Sequence, residues 1–265
     1  MSQRILLTGA AGGVGTLMRP RLARPDRVLR LLDIAPLPPA EDGEHVELVT
    51  ASVTDLDAMT SACSNVDILI HLGGLSLEGP WQDILEINIH GTYVALEAAR
   101  RAGVGRVILA SSNHAVGFQR LTGTPVADYA FPRPDTYYGV SKVTMEALGS
   151  LYHDRYGLDV VAIRIGSCFE RPRDERMLGI WLSPDDGARL LEAAISVPEP
   201  GFRIVYGVSA NTRGVFSLTE ARSLGYEPKD DSEAFADGIP PTDELGRTYI
   251  GGWFCSPELD AEIPS

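Results

Sequence analysis

The 265-residue chain has few cysteines and few histidines, and neither type is clustered. Its three cysteines, Cys63, Cys168 and Cys255, are odd in number and far apart, which argues against a disulfide framework and a CxxC metal site. The five histidines form no HExxH pair and no spacing with cysteine that would assemble a coordination shell. We therefore predict reduced thiols and no bound metal.

Long apolar runs and basic stripes are also missing. No apolar run reaches the roughly 18 residues that a membrane-spanning helix needs, and the start, MSQRILLTGAAGGVG, lacks the pattern of a cleaved secretion signal. The 36 acidic and 23 basic residues give a net charge of -13, and no basic stripe is present that could track a phosphate backbone. We expect a cytoplasmic protein with neither a membrane nor a nucleic-acid partner.

Lysine is the scarcest charged residue, because Lys142 and Lys229 are the only two and all other basic residues counted are arginines. The position of Lys142 is therefore less readily explained by chance. The acidic excess itself has two interpretations, ordinary solubility and adaptation of the source to high salt.

The sequence does contain short apolar runs that alternate with longer helical patterns. Continuous apolar runs are typical of parallel strands that are buried on both faces. Such runs predict strands at residues 5–8, 28–33, 67–72, 106–111 and 159–166, and helical periodicity predicts long helices at 81–102 and 136–156. The predicted fold class is α/β, a doubly wound parallel sheet of Rossmann type, in which ligands bind beyond the carboxyl ends of the strands.

The pattern loosens after residue 166, where we predict only a helix at 183–195 and a short strand at 203–206. No repeat, low-complexity tract or linker separates this part from the rest. We interpret residues 1–265 as one Rossmann-type domain, with residues 167–265 forming mainly a substrate lobe and a tail. The Gly- and Pro-rich tail from Pro240 is predicted to be irregular.

A glycine-rich turn, TGAAGGVG, follows the first predicted strand and leads into a helix. Gly9 allows the tight turn, Gly12 lets a pyrophosphate approach the backbone, and Gly15 lets the helix pack closely on the strand. Asp33 ends the second strand, where a carboxylate accepts hydrogen bonds from a ribose diol and repels a 2′-phosphate. These features predict NAD as the cofactor, in preference to NADP; the alternative for Asp33 is that it only caps a turn.

The segment YGVSK places Tyr138 and Lys142 on one face of the second long helix. A free phenol titrates near ~10 and is a poor base at neutral pH, so an adjacent ammonium that stabilises the phenolate makes it useful. Ser112, at the end of the strand before, can bond the reacting oxygen beside Tyr138. Asn88, in the first long helix, either orders a proton-relay water or simply packs.

Together TGxxGxxG, Asp33, Asn88 in NxxGT, Ser112 and YxxxK resemble the extended short-chain dehydrogenase/reductases over roughly residues 1–170. Four further stretches, HLGGLS, ASSNHAVG, RIGSC and RMLGIWLS, are similar to uronate dehydrogenases along nearly the whole chain. One departure concerns the adenine site, where many relatives carry an Asp after the third strand and this chain has Ser52 and Val53. This puts one adenine contact in doubt, although the backbone of Val53 could still make one.

The resemblance implies a set of binding residues. For NAD it implies the glycines and Asp33 together with Tyr138, Lys142, Val14, Ser52, Val53, Leu72 and Gly73. For the substrate it implies Ser76, Ser112, Asn113, His114, Tyr138, Ser167 and Arg176. Their amide, imidazole and hydroxyl groups suit sugar hydroxyls, and in this resemblance an arginine holds the sugar carboxylate.

Arg176 matches that motif, whereas the nearby Arg171 and Arg173 are expected mainly in surface or interface ion pairs.

The predicted function is NAD-dependent oxidation of the C1 hydroxyl of a pyranose hexuronic acid, such as glucuronate or galacturonate, to an aldaro-lactone. Tyr138 is the predicted base. The alternatives are a nucleotide-sugar epimerase or dehydratase, for which the chain is short, and an NAD-sensing regulator without activity. The two long helices resemble those that extended family members use to dimerise, so we expect a homo-oligomer.

Overall fold

Seven parallel strands form the central sheet of the computed structural model, which describes residues 2–262. The strands are β1 (Gln3–Thr8), β2 (Arg27–Asp33), β3 (Val46–Thr50), β4 (Ile68–His71), β5 (Arg106–Ser112), β6 (Asp159–Ile165) and β9 (Phe202–Gly207). Their order across the sheet is β3-β2-β1-β4-β5-β6-β9. The order reverses between β1 and β4, and this reversal opens the crevice in which doubly wound sheets bind their ligands.

Helices cover both faces of the sheet. The main ones are α1 (Gly13–Leu22), α2 (Leu56–Ala62), α4 (Gly91–Ala102), α5 (Tyr137–Tyr156) and α7 (Pro184–Ser196). The buried cluster on one face includes Met18 of α1 and Leu191 of α7, and the cluster on the other includes Met59, Leu96 and Met145 of α2, α4 and α5. This arrangement confirms the predicted α/β doubly wound fold.

The predicted long helix at 81–102 is one continuous helical segment with a change of pitch in its middle. It begins as α3 (Trp81–Asp83), continues as a π-helix (Ile84–His90) and ends as α4. A left-handed Gly103, φ 74°, closes it, as Gly157, φ 71°, closes α5. π-Helical turns are rare and often lie at functional sites.

The part of the chain beyond residue 166 contributes to the sheet as well as to the lobe above it. A two-stranded ribbon, β7 (Ser167–Cys168) with β8 (Trp181–Leu182), flanks α6 (Met177–Ile180). The predicted helix at 183–195 is α7, capped by the Ser183 hydroxyl, and the predicted strand at 203–206 is β9. α8 (Thr219–Ser223) and a 3-10 turn (Ser232–Phe235) follow.

The prediction of an irregular tail from Pro240 was wrong. The tail forms α9 (Glu244–Thr248) and two 3-10 segments, Gly252–Cys255 and Pro257–Glu262. Asp243 caps α9 through Gly246 N, and the amide groups of Ile250 and Gly251 donate to carbonyls of residues 119 and 117. These long-range bonds order a segment whose composition alone favours a coil. No helix within residues 2–262 is both long and apolar enough to cross a bilayer.

Candidate active site

The glycine-rich turn between β1 and α1 is shaped by contacts that only glycine permits. Gly9 has φ +68°, and a Cβ on it would lie 2.7 Å from the backbone of Gly73 at the end of β4. A Cβ on Gly15 would lie 2.3 Å from the carbonyl oxygen of Gly9. Beside Gly12, whose N–H donates to Gly9 O, a Cβ on Gly13 would meet nothing within 4 Å. The first turn of α1 thus opens onto free space, which fits the approach of a pyrophosphate.

Asp33 lies at the carboxyl end of β2 and is already hydrogen-bonded. Its Oδ2 accepts from Ala11 N at 2.9 Å and its Oδ1 from Ala35 N at 3.0 Å. The carboxylate therefore does cap the adjoining turns, and because each oxygen has a second acceptor site, it can also receive a ribose diol. Arg30, the nearest basic side chain in the same strand, is paired with Glu47 of β3 at 2.7 Å.

The remaining cofactor candidates lie at the ends of neighbouring strands. A Cβ on Gly73 would lie 2.6 Å from Val53 Cγ1, so these two residues are in direct contact. Val14 and Leu72 are half-buried against the core on the α1 side of the sheet. The Ser52 hydroxyl is bonded locally, 2.8 Å from Thr54 Oγ1.

A buried histidine underlies this cradle. His71, the last residue of β4, is fully buried, and its Nδ1 lies 2.9 Å from Thr8 Oγ1. Thr8 Oγ1 in turn accepts from Gly73 N at 3.2 Å. Burial, assisted by the charge of Lys142, lowers the pKa of His71 to about 3, so this imidazole is neutral at physiological pH. His71 therefore joins the ends of β1 and β4 below the cofactor cradle.

Tyr138 and Lys142 lie on the buried face of α5, as their spacing predicts. Their exposures are 7% and 6%. Lys142 Nζ lies 5.3 Å from the centroid of the Tyr138 ring and donates to Ala110 O on β5 at 2.8 Å. The carbonyl holds the ammonium beside the phenol.

Burial perturbs both groups. Burial raises the pKa of Tyr138 to about 12. A hydrogen bond with Ser112 opposes this rise, and the charge of Asp135 adds to it. Burial lowers the pKa of Lys142 to about 8. The phenol is thus a weak acid in the free protein, and any positive charge beside it favours the phenolate.

Ser112 ends β5 next to Ile165 of β6 and caps the 3-10 turn Asn113–Val116, accepting from His114 N at 3.2 Å. The Ser112 hydroxyl is also close enough to the Tyr138 phenol to lower its pKa. One substrate oxygen placed between the two hydroxyls can therefore bond both.

Asn88 lies in the π-helix, and all of its side-chain contacts are to protein groups. Its Oδ1 accepts from Leu75 N at 2.7 Å, and its Nδ2 donates to Leu75 O at 3.0 Å and to Ser141 Oγ at 3.1 Å. Ser141 donates to Tyr138 O. The side chain thus holds the loop after β4 against α5, and its Oδ1 keeps a second acceptor site that a relay water can use.

Arg176 is half-buried and has polar partners but no anionic one. Its Nε donates to Ile250 O at 2.7 Å, and its Nη2 donates to Asn113 Oδ1 at 3.0 Å in the amide orientation that lets Asn113 Nδ2 donate to Ile165 O. Among the described side chains of residues 2–259, no carboxylate oxygen lies within 4.0 Å of the guanidinium. Loss of water lowers the pKa of Arg176, and distant carboxylates such as those of Asp174 and Asp135 oppose this effect.

The other substrate candidates are Ser167, His114 and Ser76. Ser167 is buried in β7, two residues beyond Ile165, and His114 follows Asn113 in the 3-10 turn. Ser76 is exposed on the loop after β4 and has no hydrogen bond within the described chain. Glu78 fastens that loop by accepting from Tyr138 N at 2.7 Å.

Arg171 and Arg173 were expected in surface or interface ion pairs, and neither has a carboxylate within 4.0 Å among the side chains of residues 2–259 of this chain. Their guanidinium carbons lie over aromatic rings instead, 5.7 Å from the centroid of Phe235 and 3.7 Å from that of Phe169. Both flank an open cavity of about 450 Å³ beside the first turn of α1.

Three groups of residues around the site escaped the sequence reasoning. Asp135 accepts a hydrogen bond from His114, the pair Glu146–Arg164 lies buried behind Ser111, and Phe254 packs on the His114 ring. Asp135 directly precedes the YGVSK helix, but no local pattern marks its partner. The aromatic pair WFC within the glycine-rich tail was the one available signal for Phe254.

The model of the NAD dependent epimerase/dehydratase family matches residues 5–179. A uronate dehydrogenase of Pseudomonas syringae pv. tomato is 45% identical over 256 residues, which cover 95% of this chain and 92% of the relative. An NAD-dependent glucose-6-phosphate dehydrogenase of Haloferax volcanii is 38% identical over 263 residues, 92% of this chain and 100% of the relative.

Among solved structures, a variant of the uronate dehydrogenase of Agrobacterium tumefaciens complexed with NAD superposes with a TM-score of 0.90. It is 39% identical, and the match covers 96% of this chain and 97% of that one. These similarities extend far beyond the glycine-rich turn.

Proposed function

The chain belongs to the NAD dependent epimerase/dehydratase family and, within it, to the uronate dehydrogenases, and from this premise we propose that it oxidises C1 of free pyranose hexuronic acids with NAD as acceptor. The product of this reaction is an aldaro-lactone. The protein is an NAD-dependent oxidoreductase, and we propose glucuronate and galacturonate as its substrates.

The observation that carries this proposal is the guanidinium of Arg176, which has no carboxylate partner among the described side chains of residues 2–259. A half-buried cation without a carboxylate is costly unless a ligand supplies the anion. The chain is acidic overall and repels anions, so an anionic substrate needs such a local anchor. Arg176 Nη2 donates to the amide oxygen of Asn113, which directly follows Ser112, and we place the sugar ring between this guanidinium and the Tyr138 phenol.

The proton of the C1 hydroxyl goes to the Tyr138 phenolate. The Lys142 ammonium, held by Ala110 O, favours the phenolate, and the Ser112 hydroxyl donates to the same sugar oxygen as negative charge develops on it. Because C1 of a pyranose is a hemiacetal carbon, its oxidation with the ring closed gives a lactone directly. No water is activated in this step.

NAD is held by the chain's own groups before any chemistry occurs. The first turn of α1 would hold the pyrophosphate, Asp33 the adenosine ribose, and Lys142 the nicotinamide ribose. The bound cofactor supplies the acceptor for the C1 hydride, so the sugar loses two electrons and one proton reaches solvent through Tyr138. Ser52, Val53 and Gly73 would line the adenine side.

The test is spectrophotometric. The purified protein is mixed with NAD and either glucuronate or galacturonate, and the absorbance of reduced cofactor is followed. Glucose 6-phosphate, arabinose and a UDP-sugar serve as comparison substrates. We expect net reduction of NAD with the free uronates; an epimerase would give no net reduction, and reduction only with glucose 6-phosphate would reject the uronate assignment.

We also propose a cytoplasmic homo-oligomer that associates through the long helices. Trp81, Leu85 and Tyr93 on the first helical segment, and Tyr137 and Leu151 on α5, are apolar side chains with exposures from 38% to 53%. Large exposed apolar patches favour association. Light scattering after gel filtration gives the subunit number; a monomer at micromolar concentration would contradict the proposal.

A further inference from the structure

Asp135 is a completely buried carboxylate at the edge of the substrate pocket. Its side chain has 0% exposure, and its Oδ2 lies 2.7 Å from Nδ1 of His114. The other oxygen, Oδ1, accepts from the Thr136 hydroxyl at 3.0 Å. Thr136 is the N-cap of α5, so the carboxylate is fixed to the same helix that carries Tyr138.

Three segments of the chain leave space for this carboxylate by means of glycine. A Cβ on Gly117 would lie 1.8 Å, on Gly139 3.0 Å and on Gly251 2.1 Å from an oxygen of Asp135. These glycines follow β5, begin α5 and belong to the tail, respectively. A carboxylate enclosed on three sides has one position, and a side chain bonded to it is held equally firmly.

The His114 ring is held on its faces as well. The centroid of Phe254 lies 4.2 Å from that of His114 at an interplanar angle of 33°, and the Tyr138 ring approaches edge-on at 5.8 Å. The His114 side chain retains 12% exposure, whereas Asp135 has none. Because Nδ1 faces the buried carboxylate, the exposed part of the His114 ring is the side away from Asp135.

A carboxylate can only accept, so the short Nδ1 contact places a proton on His114 Nδ1. In the neutral ring, Nε2 then lacks a proton and accepts hydrogen bonds. We propose that Asp135 is a positioning residue that fixes this tautomer, so that His114 Nε2 accepts a hydrogen bond from a sugar ring hydroxyl. The inference rests on the proposed function, because the hydroxyl belongs to the uronate.

The arrangement explains why a buried anion is tolerated in a pocket for an anionic sugar. The His114 ring separates the Asp135 carboxylate from the sugar, and Arg176 lies close enough to feel its charge. Asp135 also opposes ionisation of Tyr138, so its presence is a cost to the base that another role must offset. Orientation of His114 is that role.

The first experiment uses the unaltered protein. A long-range ¹H–¹⁵N spectrum of the imidazoles distinguishes protonated from unprotonated ring nitrogens, and His114→Gln assigns the signals among five histidines. We expect a protonated Nδ1 and an unprotonated Nε2, with the Nε2 signal shifting when glucuronate and NADH are added together. A proton on Nε2 in the free protein would overturn the proposal, whatever the catalytic activity.

The second experiment replaces the carboxylate by an amide of the same shape. In Asp135→Asn the amide oxygen keeps the bond from the Thr136 hydroxyl, so the amide N–H faces His114, donates to Nδ1, moves the proton to Nε2 and removes the acceptor. We expect the KM for glucuronate to rise by about tenfold, the value of one hydrogen bond, with kcat and the Kd for NAD changed far less. Asp135→Asn combined with His114→Gln should be no worse than His114→Gln alone.

The matched control is Asp128→Asn. Asp128 is also buried, at 6% exposure, and bonds Ser217 away from the pocket. It should alter stability without altering the KM for glucuronate. Additive losses in the double variant, or an unchanged KM and tautomer in Asp135→Asn, would assign Asp135 a purely structural role.

Discussion

The cofactor half of the site is made by neighbours in the sequence, whereas the substrate half is made by residues far apart in it. Gly9, Gly12 and Gly15 share one turn, and Asp33 bonds the backbone of that turn. Arg176, by contrast, is held by the carbonyl of Ile250 and by Asn113, and His114 packs on Phe254.

The difference follows from what each half must recognise. A pyrophosphate is bound by backbone N–H groups, so a short motif that sets the backbone is sufficient. A sugar acid is recognised by side chains that converge from several directions, and convergence requires the tertiary structure. Changes in the two halves should therefore have separable effects.

The largest effect is expected at Tyr138, where the halves meet. In Tyr138→Phe the base is lost, and kcat should fall by about 10²–10⁴-fold, the usual contribution of general acid–base catalysis. Binding of NAD and of glucuronate should persist, as calorimetry would report. The neighbouring Tyr137, 53% exposed, gives the control Tyr137→Phe, which should leave kcat unchanged.

Arg176→Ala should affect only the substrate half. Removing a charged hydrogen-bonding partner costs about 1.5–3 kcal/mol, so kcat/KM for glucuronate should fall by about 10²-fold while the Kd for NAD stays constant. Arg173→Ala, three residues earlier and exposed, is the control. Equal kinetics for Arg176→Ala and the unaltered protein would remove Arg176 from the pocket.

Gly15→Ala should affect only the cofactor half. Its Cβ would clash with Gly9 O, and overpacking of this kind costs about 1–3 kcal/mol in the free energy of unfolding. Gly13→Ala meets no atom within 4 Å and should leave this free energy nearly unchanged. Denaturant unfolding without cofactor measures both; equal values would mean that the turn is softer than its contacts imply.

Asp33→Ala should change the choice of nucleotide without affecting the sugar. Loss of the ribose contact and of the repulsion toward a 2′-phosphate should narrow the NAD/NADP ratio of kcat/KM by about tenfold. The KM for glucuronate should remain the same. An unchanged ratio would leave Asp33 with only its turn-capping bonds to Ala11 and Ala35.

The smallest effect is a pH dependence of stability at Lys142. Burial lowers its pKa from 10.5 to about 8, so between these values the unfolded chain holds a proton that the folded chain has released. The free energy of unfolding contributed by this group therefore rises with pH across the window and is constant below it. The free energy of unfolding of the unaltered protein minus that of Lys142→Met should therefore increase between pH 7 and pH 10. A difference that does not vary with pH would contradict this prediction.

Some elements of the fold left no clear pattern in the sequence. The strand β3 and the helix α2 were not delimited, because β3 lies at the sheet edge with only part of each face covered and α2 is seven residues long. The inner strands carry continuous apolar runs, and their predicted bounds differ from the observed ones by at most two residues.

By itself, the sequence determined the doubly wound sheet, the glycine turn and the spacing of Tyr138 and Lys142, because each depends on neighbours along one strand, turn or helix. Tertiary structure alone decided that Asp135 faces His114, that Ile250 holds Arg176, and that an apparently irregular tail closes the pocket. These contacts join segments that are far apart in the sequence. No local pattern encodes which distant partner a side chain will meet.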